Sequence, residues 1–328
     1  MKRIGEKMID THYDLLSICY TCYIKKDYTK IEKFANEIKV SGVKCIFANL
    51  FFESIDEMRE ELDPNYYNES VSIIEMFKIS KMILESYLPD IDFIYSIEGC
   101  DYLEIEELEP LYNEGLRAIL LVWNNDCKYG SGNRSNNGLT QKGREFLNKA
   151  ISLGIGIDLS HANIKTFFDM IDVIKENQSQ GKEVICYASH SNVRALHEKP
   201  RNLNDEQLHA LKEVGGLVGL LSNVYFVSTN PNISQEEKNT KYLEHIKYAS
   251  NILGKDKVML STDDMRYMKD IDPAFNYSSI FDYSKLLKEN KQLLLSHYTE
   301  EDTNNILYNN AYNSIVNKLL NNNKKRIK

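Results

Sequence analysis

The chain alternates between two patterns. Short apolar runs rich in β-branched residues cover 7–16, 43–52, 92–99, 117–124, 154–161, 183–190, 215–223 and 257–263, each with the length of a buried strand. Between most of them, longer segments repeat apolar residues at helical spacing and carry charged faces. They predict helices over 28–39, 70–87, 140–153, 165–177, 204–214 and 235–253. The 204–214 helix has a legible start: Asn204 can cap, Gln207 follows it, and Leu208 and Leu211 supply the stripe to be buried. Gly154 and Gly215 open strands, as loops returning from helices require. Eight repeats of strand then helix within about 250 residues predict an α/β fold, the (β/α)8 TIM barrel, as a single domain with its barrel over about 7–266. Appended C-terminal helices are expected over 277–290 and 303–320, within an extension of 267–328 that ends in a polar, basic tail. Two stretches read as lids or as ordinary surface loops at the barrel's C-terminal face: 53–69, with Pro64, and 126–138, rich in Asn, Gly and Ser.

Composition narrows the function classes. With 328 residues, 42% of them hydrophobic and 27% charged, the chain has material for a large core. Lys and Arg total 40 against 48 Asp and Glu, a formal net charge of −8, which is the wrong sign for a surface that neutralises phosphates. No nucleic-acid partner is expected. No stretch reaches the roughly 18 consecutive apolar residues of a membrane span. Lys2, Arg3 and Lys7 are followed by no export signal, and neither end offers an anchor signal, so a soluble cytoplasmic protein with no membrane partner is expected. Six cysteines are too few for a disulfide scaffold and suit a reducing compartment. Cys19 and Cys22 form one C-x-x-C, open to a redox or zinc role, but no second pair accompanies them and they read as two thiols near a strand end.

The candidate chemistry lies where the strands end. His12 and Asp14 sit two apart at the end of the first run, so a strand sends both to one face. Glu98 closes the third run, His161 the fifth, His190 the sixth and Asp263 the eighth. These six ligand-type residues fall on the rim where barrels of this kind carry their catalysts. Three of the seven histidines are among them; His197, His209, His245 and His297 fall in predicted loops or helices, where a solvated or capping role fits better. Each residue alone could be a buried hydrogen-bonded group. Together they supply mixed nitrogen and oxygen ligands for two divalent metal ions, with Zn2+ best suited, and no rim cysteine points to a structural zinc cage instead.

The segments Asp10-Thr-His-Tyr-Asp14, Ile97-Glu98-Gly99, Gly156-Ile-Asp-Leu-Ser-His161, Ser189-His190-Ser191-Asn192 and Gly215-Gly216, in this order over about 8–266, resemble the membrane (renal) dipeptidase family, the M19 metallopeptidases. The resemblance implies a zinc-dependent hydrolase, a dipeptidase with a binuclear metal site, acting on small dipeptides, including those with a D-residue on the C-terminal side. It implies that His12 and Asp14 hold one ion, that His161 and His190 hold the other, and that Glu98 bridges them. Asp263 falls at the family's catalytic aspartate and Arg201 at the arginine that holds the substrate carboxylate. Family members often pair, so a homodimer is implied as well.

Charge supplies the mechanism expected of such a site. Two cations sharing one water bring its pKa toward neutrality, a bridging hydroxide attacks the peptide carbonyl, and a carboxylate at Asp263 moves the proton to the leaving amine. The sequence departs from the family around the substrate. Asp264, Met265 and Arg266 replace an aromatic-Asp-Gly run, and Leu221-Ser222 replaces an asparagine-aromatic pair. Trp123-Asn124-Asn125 stands where relatives carry a substrate-touching histidine, so Trp123 and Asn124 are candidate substrate-binding residues. Two alternatives stay open: a metal-dependent amidohydrolase or lactonase for another small substrate, and a metal-binding protein that has lost catalysis.

Overall fold

Strands buried on both faces read as continuous apolar runs rather than as alternation, which is why eight of them stood out along the chain. In a computed structural model, which describes residues 6–51, 71–270 and 277–326, they form one parallel sheet in chain order. They are β1 (Met8–Tyr13), β2 (Val43–Phe51), β3 (Asp92–Glu98), β4 (Leu116–Leu120), β5 (Gly156–Asp158), β6 (Cys186–Ala188), β7 (Leu217–Leu221) and β8 (Val258–Ser261). The helices between them are α1 (Leu15–Lys25), α2 (Thr29–Ser41), α3 (Ile73–Tyr87), α4 (Leu108–Glu114), α5 (Gln141–Leu153), α6 (Ile164–Ser179), α7 (Asp205–Glu213) and α8 (Gln235–Leu253). This is the (β/α)8 barrel. Asn204 caps α7 in a reciprocal pair with Gln207, as the sequence predicts.

β8 returns to β1 across a short seam. The backbone N–H of Asp263 donates to the carbonyl of His12 at 3.1 Å, and the Thr11 hydroxyl lies 3.0 Å from the carbonyl of Leu260. Buried Asp10 reinforces it, accepting the backbone N–H of Thr262 at 2.9 Å, the Thr262 hydroxyl at 2.6 Å and the Tyr283 hydroxyl at 2.9 Å. The first strand is thereby tied to the last and to the C-terminal extension.

That extension contains α9 (Leu286–Leu295), α10 (Glu300–Asn304), two π-helical turns (Asn305–Asn309 and Tyr312–Val316) and α11 (Asn317–Arg326). The first appended helix begins later than predicted, after the short 3-10 turn Tyr283–Lys285 capped by Asp282, and the second is broken by the π turns. Tyr308, Ile315, Val316 and Leu319 pack against Ile9, Phe47, Ile94 and Met259 of the strands. Burying these side chains closes the barrel floor, which leaves the opposite rim for chemistry.

The strands of the second half are shorter than their apolar runs, a difference that matters for the site below. Cys19 and Cys22 do not lie near a strand end but on α1, where burial pushes both thiols up, away from the reactive thiolate form. All six cysteines are free. The 126–138 loop is held by its own bonds: Ser131 and Asn137 donate to Asp126, and Gly132 N–H donates to the Asn125 carbonyl. A side chain at Gly132 would fall 1.6 Å from the Trp123 carbonyl, so only glycine lets this loop close on the end of β4. The 53–69 loop lies outside the described residues. No helix among the described residues is long and apolar enough to cross a membrane.

Candidate metal centre

β1 carries His12 to the rim, and Asp14 follows on the turn into α1; the two share a face, with His12 Nε2 3.5 Å from Asp14 Oδ1. Glu98 is the last residue of β3. His161, His190 and Asp263 do not close their strands, as the apolar runs suggest, but stand on the turns that leave β5, β6 and β8. The backbone must bend there to aim each side chain at the barrel axis. His161 (φ 67°) and Asp263 (φ 43°) take the left-handed region to do so, a conformation that costs about 1–3 kcal/mol in a non-glycine residue and clusters at functional sites.

All six converge. Glu98 divides its carboxylate, with Oε2 2.9 Å from His12 Nε2 and Oε1 3.0 Å from His161 Nε2. His161 Nε2 and His190 Nε2 face each other at 3.0 Å, and Asp263 Oδ1 is 3.8 Å from His12 Nε2. Donor atoms of His12, Asp14 and Asp263 lie within 4.8 Å of one another, as do those of Glu98, His161 and His190. His12 Nε2 and Asp14 Oδ1 are buried without a hydrogen-bond partner of proper geometry, while Asp14 Oδ2 accepts the Tyr267 hydroxyl at 2.8 Å. Buried polar atoms are rarely left without a well-formed hydrogen bond, and here the two lie 3.5 Å apart. The donor set suits a pair of divalent cations: imidazole nitrogens and carboxylate oxygens, with one carboxylate shared.

The electrostatics separate these residues by role. Burial pushes the Asp263 carboxyl up, His12 opposes this, and repulsion from Asp14 and Glu98 leaves it at about 7. Burial also raises Asp14. Burial would raise Glu98 too, but the His12 and His161 imidazoles outweigh it and hold this carboxyl well below its usual range. Burial, with Arg201 nearby, lowers His161 to about 3, and burial and His12 lower His190, so both rings keep a lone pair for ligation. His12 rises instead: burial disfavours its charge, yet Glu98, Asp14 and Asp263 prevail.

A second layer fixes the rings. Asn124 Oδ1 accepts His161 Nδ1–H at 3.0 Å, and Trp123 stacks on the same ring with centroids 6.0 Å apart. Trp123 also walls the cleft beside Glu98, Asp101 and Tyr102. Trp123 and Asn124, expected at the substrate, therefore touch the His161 ring as well. Arg201 reaches the rim, donating from Nη2 to the His190 carbonyl at 2.9 Å and placing its charge near Asp263 and Glu98. Sequence reasoning missed Asn49, Asp158 and Ser189. Asn49 Nδ2 lies 3.0 Å from His12 Nδ1, Ser189 Oγ lies 2.7 Å from His190 Nδ1, and Asp158 is buried beneath them. The available signal was position alone, since Asp158 and Ser189 belong to the segments that contain His161 and His190. His245 is neither solvated nor a helix cap: it is buried on α8, with Nδ1 accepting the Val193 N–H at 3.0 Å.

Known proteins share this arrangement of strands. A sequence model of the membrane dipeptidase family, peptidase family M19, matches residues 49–325; His12 and Asp14 stand upstream of the match. An uncharacterised protein from the pqqA 5' region of Klebsiella pneumoniae is 32% identical over 177 residues, covering 51% of this chain and 62% of its own length. An uncharacterised dipeptidase of Schizosaccharomyces pombe is 24% identical over 216 residues, 62% of this chain and 49% of its own. The chain thus spans between about half and three fifths of these curated relatives. Among solved structures, a metallopeptidase from Rhodobacter sphaeroides, liganded with a phosphinate mimic of the dipeptide L-Ala-D-Ala, superposes with a TM-score of 0.69 at 19% identity, covering 96% of this chain and 99% of that one.

Proposed function

Because the chain belongs to the membrane dipeptidase family, peptidase family M19, we propose that it is a zinc-dependent dipeptidase that hydrolyses the peptide bond of small dipeptides. His12 and Asp14 would hold one ion and His161 and His190 a second, with Glu98 placed to serve both. The observation that carries this reading is the divided Glu98 carboxylate, one oxygen 2.9 Å from His12 Nε2 and the other 3.0 Å from His161 Nε2, beside a buried Asp14 Oδ1 that no hydrogen bond satisfies. Bound there, the ions supply an activated water and a Lewis acid for the peptide carbonyl.

The chain's own residues do the rest. Asp263, with its carboxyl at about 7, is suited to take a proton near neutral pH and return it to the departing amine. Arg201 presents a guanidinium that can pair with the free carboxylate of a short substrate, which selects dipeptides over longer chains by distance. Trp123 and Asn124 border the substrate and hold the His161 ring at the same time. Six free cysteines favour a cytoplasmic setting, and pairing into a homodimer follows the family habit.

The test is metal analysis together with a panel of L,L and L,D dipeptides. About two zinc ions per chain and release of free amino acids are expected. Two ions with turnover only of another amide or a lactone would move the substrate class, and two ions with no hydrolysis of any of these would remove the enzyme.

A further inference from the structure

Asp158 and Ser189 form a buried cluster that the proposed chemistry does not use. Asp158 ends β5 and Ser189 follows β6, and both are almost wholly enclosed. Three contacts fix Ser189. Its backbone N–H donates to Asp158 Oδ1 at 3.0 Å, its carbonyl lies 2.7 Å from the Thr11 hydroxyl, and the carbonyl packs against Gly219, where a Cβ would come within 1.8 Å. Asp158 Oδ1 also accepts the Ser160 N–H at 3.0 Å. With its backbone held on both sides, the Ser189 hydroxyl has little freedom in where it points.

It points at histidine nitrogens. Ser189 Oγ is 2.7 Å from His190 Nδ1 and 3.3 Å from His12 Nδ1, and the Asp158 carboxylate that accepts the Ser189 backbone N–H stands beside it. A hydroxyl offers two lone pairs and one proton. An imidazole that ligates through Nε2 carries its proton on Nδ1, so His190 and His12 would each present Nδ1–H to this oxygen. The single Ser189 proton is then left for the neighbouring Asp158 carboxylate, which already takes the backbone N–H of the same residue. Of the two neighbours of His12 Nδ1, Asn49 Nδ2 at 3.0 Å is a donor that also serves the Phe47 carbonyl at 3.1 Å, so Ser189 Oγ at 3.3 Å is the one group able to accept a proton carried on His12 Nδ1. Groups behind a ligating histidine fix its tautomer and orientation, and their loss typically costs about 10–100-fold in metal affinity.

Resting on the metal reading above, we propose that Ser189, charged by Asp158, is a positioning residue that holds His190 and His12 in the ligating tautomer and so joins the two ion sites through one oxygen. The residues of this cluster also satisfy the spacing for a cation, with donor atoms of His12, Asp158 and His190 within 4.8 Å of one another. The Ser189 hydroxyl among them makes it a hydrogen-bond node instead, and the expected stoichiometry stays at two ions.

The test measures zinc affinity directly, by chelator competition on the purified chain, for the parent, Ser189→Ala, Asp158→Asn and Ser189→Thr. Ser189→Ala removes only the oxygen, and Asp158→Asn keeps shape and the accepted backbone N–H bonds while removing the charge. Weakening of zinc binding by about 10–100-fold in both, with Ser189→Thr within about threefold of the parent because it keeps the hydroxyl, is the expected result. Parental affinity in Ser189→Ala or in Asp158→Asn overturns the proposal, as does a threonine variant as weak as the alanine one. If the parent itself binds no zinc, the metal reading fails and takes this inference with it; if the parent binds two ions and the variants match it, this inference fails alone.

Discussion

The side-chain oxygen of Asn124 lies 3.0 Å from Nδ1 of His161, in the position that fixes which ring nitrogen is left free to face Glu98. Asn133 Nδ2 braces the same oxygen at 2.5 Å. A residue expected at the substrate thus also acts on His161, a proposed metal ligand. Asn124→Ala should weaken zinc binding by about 10–100-fold and lower kcat in proportion, with zinc added back restoring part of the rate. If KM rises instead while zinc affinity and kcat stay at parental values, Asn124 serves the substrate alone. Zinc titration followed by steady-state kinetics reads both.

Asp263 differs from the other acidic residues of the site in having His12 as a distant neighbour, at 3.8 Å, and in carrying a carboxyl raised to about 7. Its proposed task is moving a proton rather than holding an ion. Asp263→Asn keeps the shape and removes that capacity. Turnover should fall by about 10²–10⁴-fold, the usual range for a lost general acid or base, while the two ions stay bound. Loss of an ion from the variant would make Asp263 a ligand instead, and undiminished turnover would remove it from the reaction.

Much of this architecture was legible along the chain, for reasons that also mark where legibility stopped. The strands stood out because burial on both faces leaves uninterrupted apolar runs. The same property hid α1: Leu15–Lys25 is apolar around most of its circumference, with β-branched residues and cysteines, and it follows β1 directly, so its beginning merged with the strand. α4 is short and has Pro110 in its first turn, a position that tolerates proline but reads as a break. His161 and His190 were legible because ligand-type residues at strand ends are few. Asp158 and Ser189 were not, since a serine becomes informative only when strands distant in sequence bring it to 2.7 Å from one imidazole and 3.3 Å from another.

Close packing around Ser189 gives a prediction about the fold itself. Gly219 on β7 faces the Ser189 carbonyl, and an added Cβ would stand 1.8 Å from that oxygen and 2.6 Å from the Thr11 hydroxyl. Neither the carbonyl nor a strand already paired on both sides can move aside cheaply. Gly219→Ala should therefore destabilise the chain by about 3 kcal/mol, at the severe end for overpacking, as measured by denaturant unfolding. A change under about 0.5 kcal/mol would show that β6 and β7 separate more easily than their packing indicates.

His245 sets an acid limit on stability that is independent of the ions. Burial, with His197 and Lys241 adding to it, lowers the ring to about 3, and its Nδ1 must stay unprotonated to accept the Val193 N–H. In the unfolded chain the same ring takes a proton near its ordinary value of 6.5. Between these values the unfolded state binds one proton more than the folded state, so stability falls as pH drops below 6.5, and above 6.5 the group contributes no pH dependence. The slope is about 1.4 kcal/mol per pH unit, which amounts to roughly 2 kcal/mol between pH 7 and pH 5. His245→Gln keeps an acceptor for Val193 and cannot gain the proton. Urea unfolding of parent and variant at both pH values should show the parent losing about 2 kcal/mol more than the variant on acidification. Equal losses in the two chains would mean that the ring can charge without leaving its place against Val193.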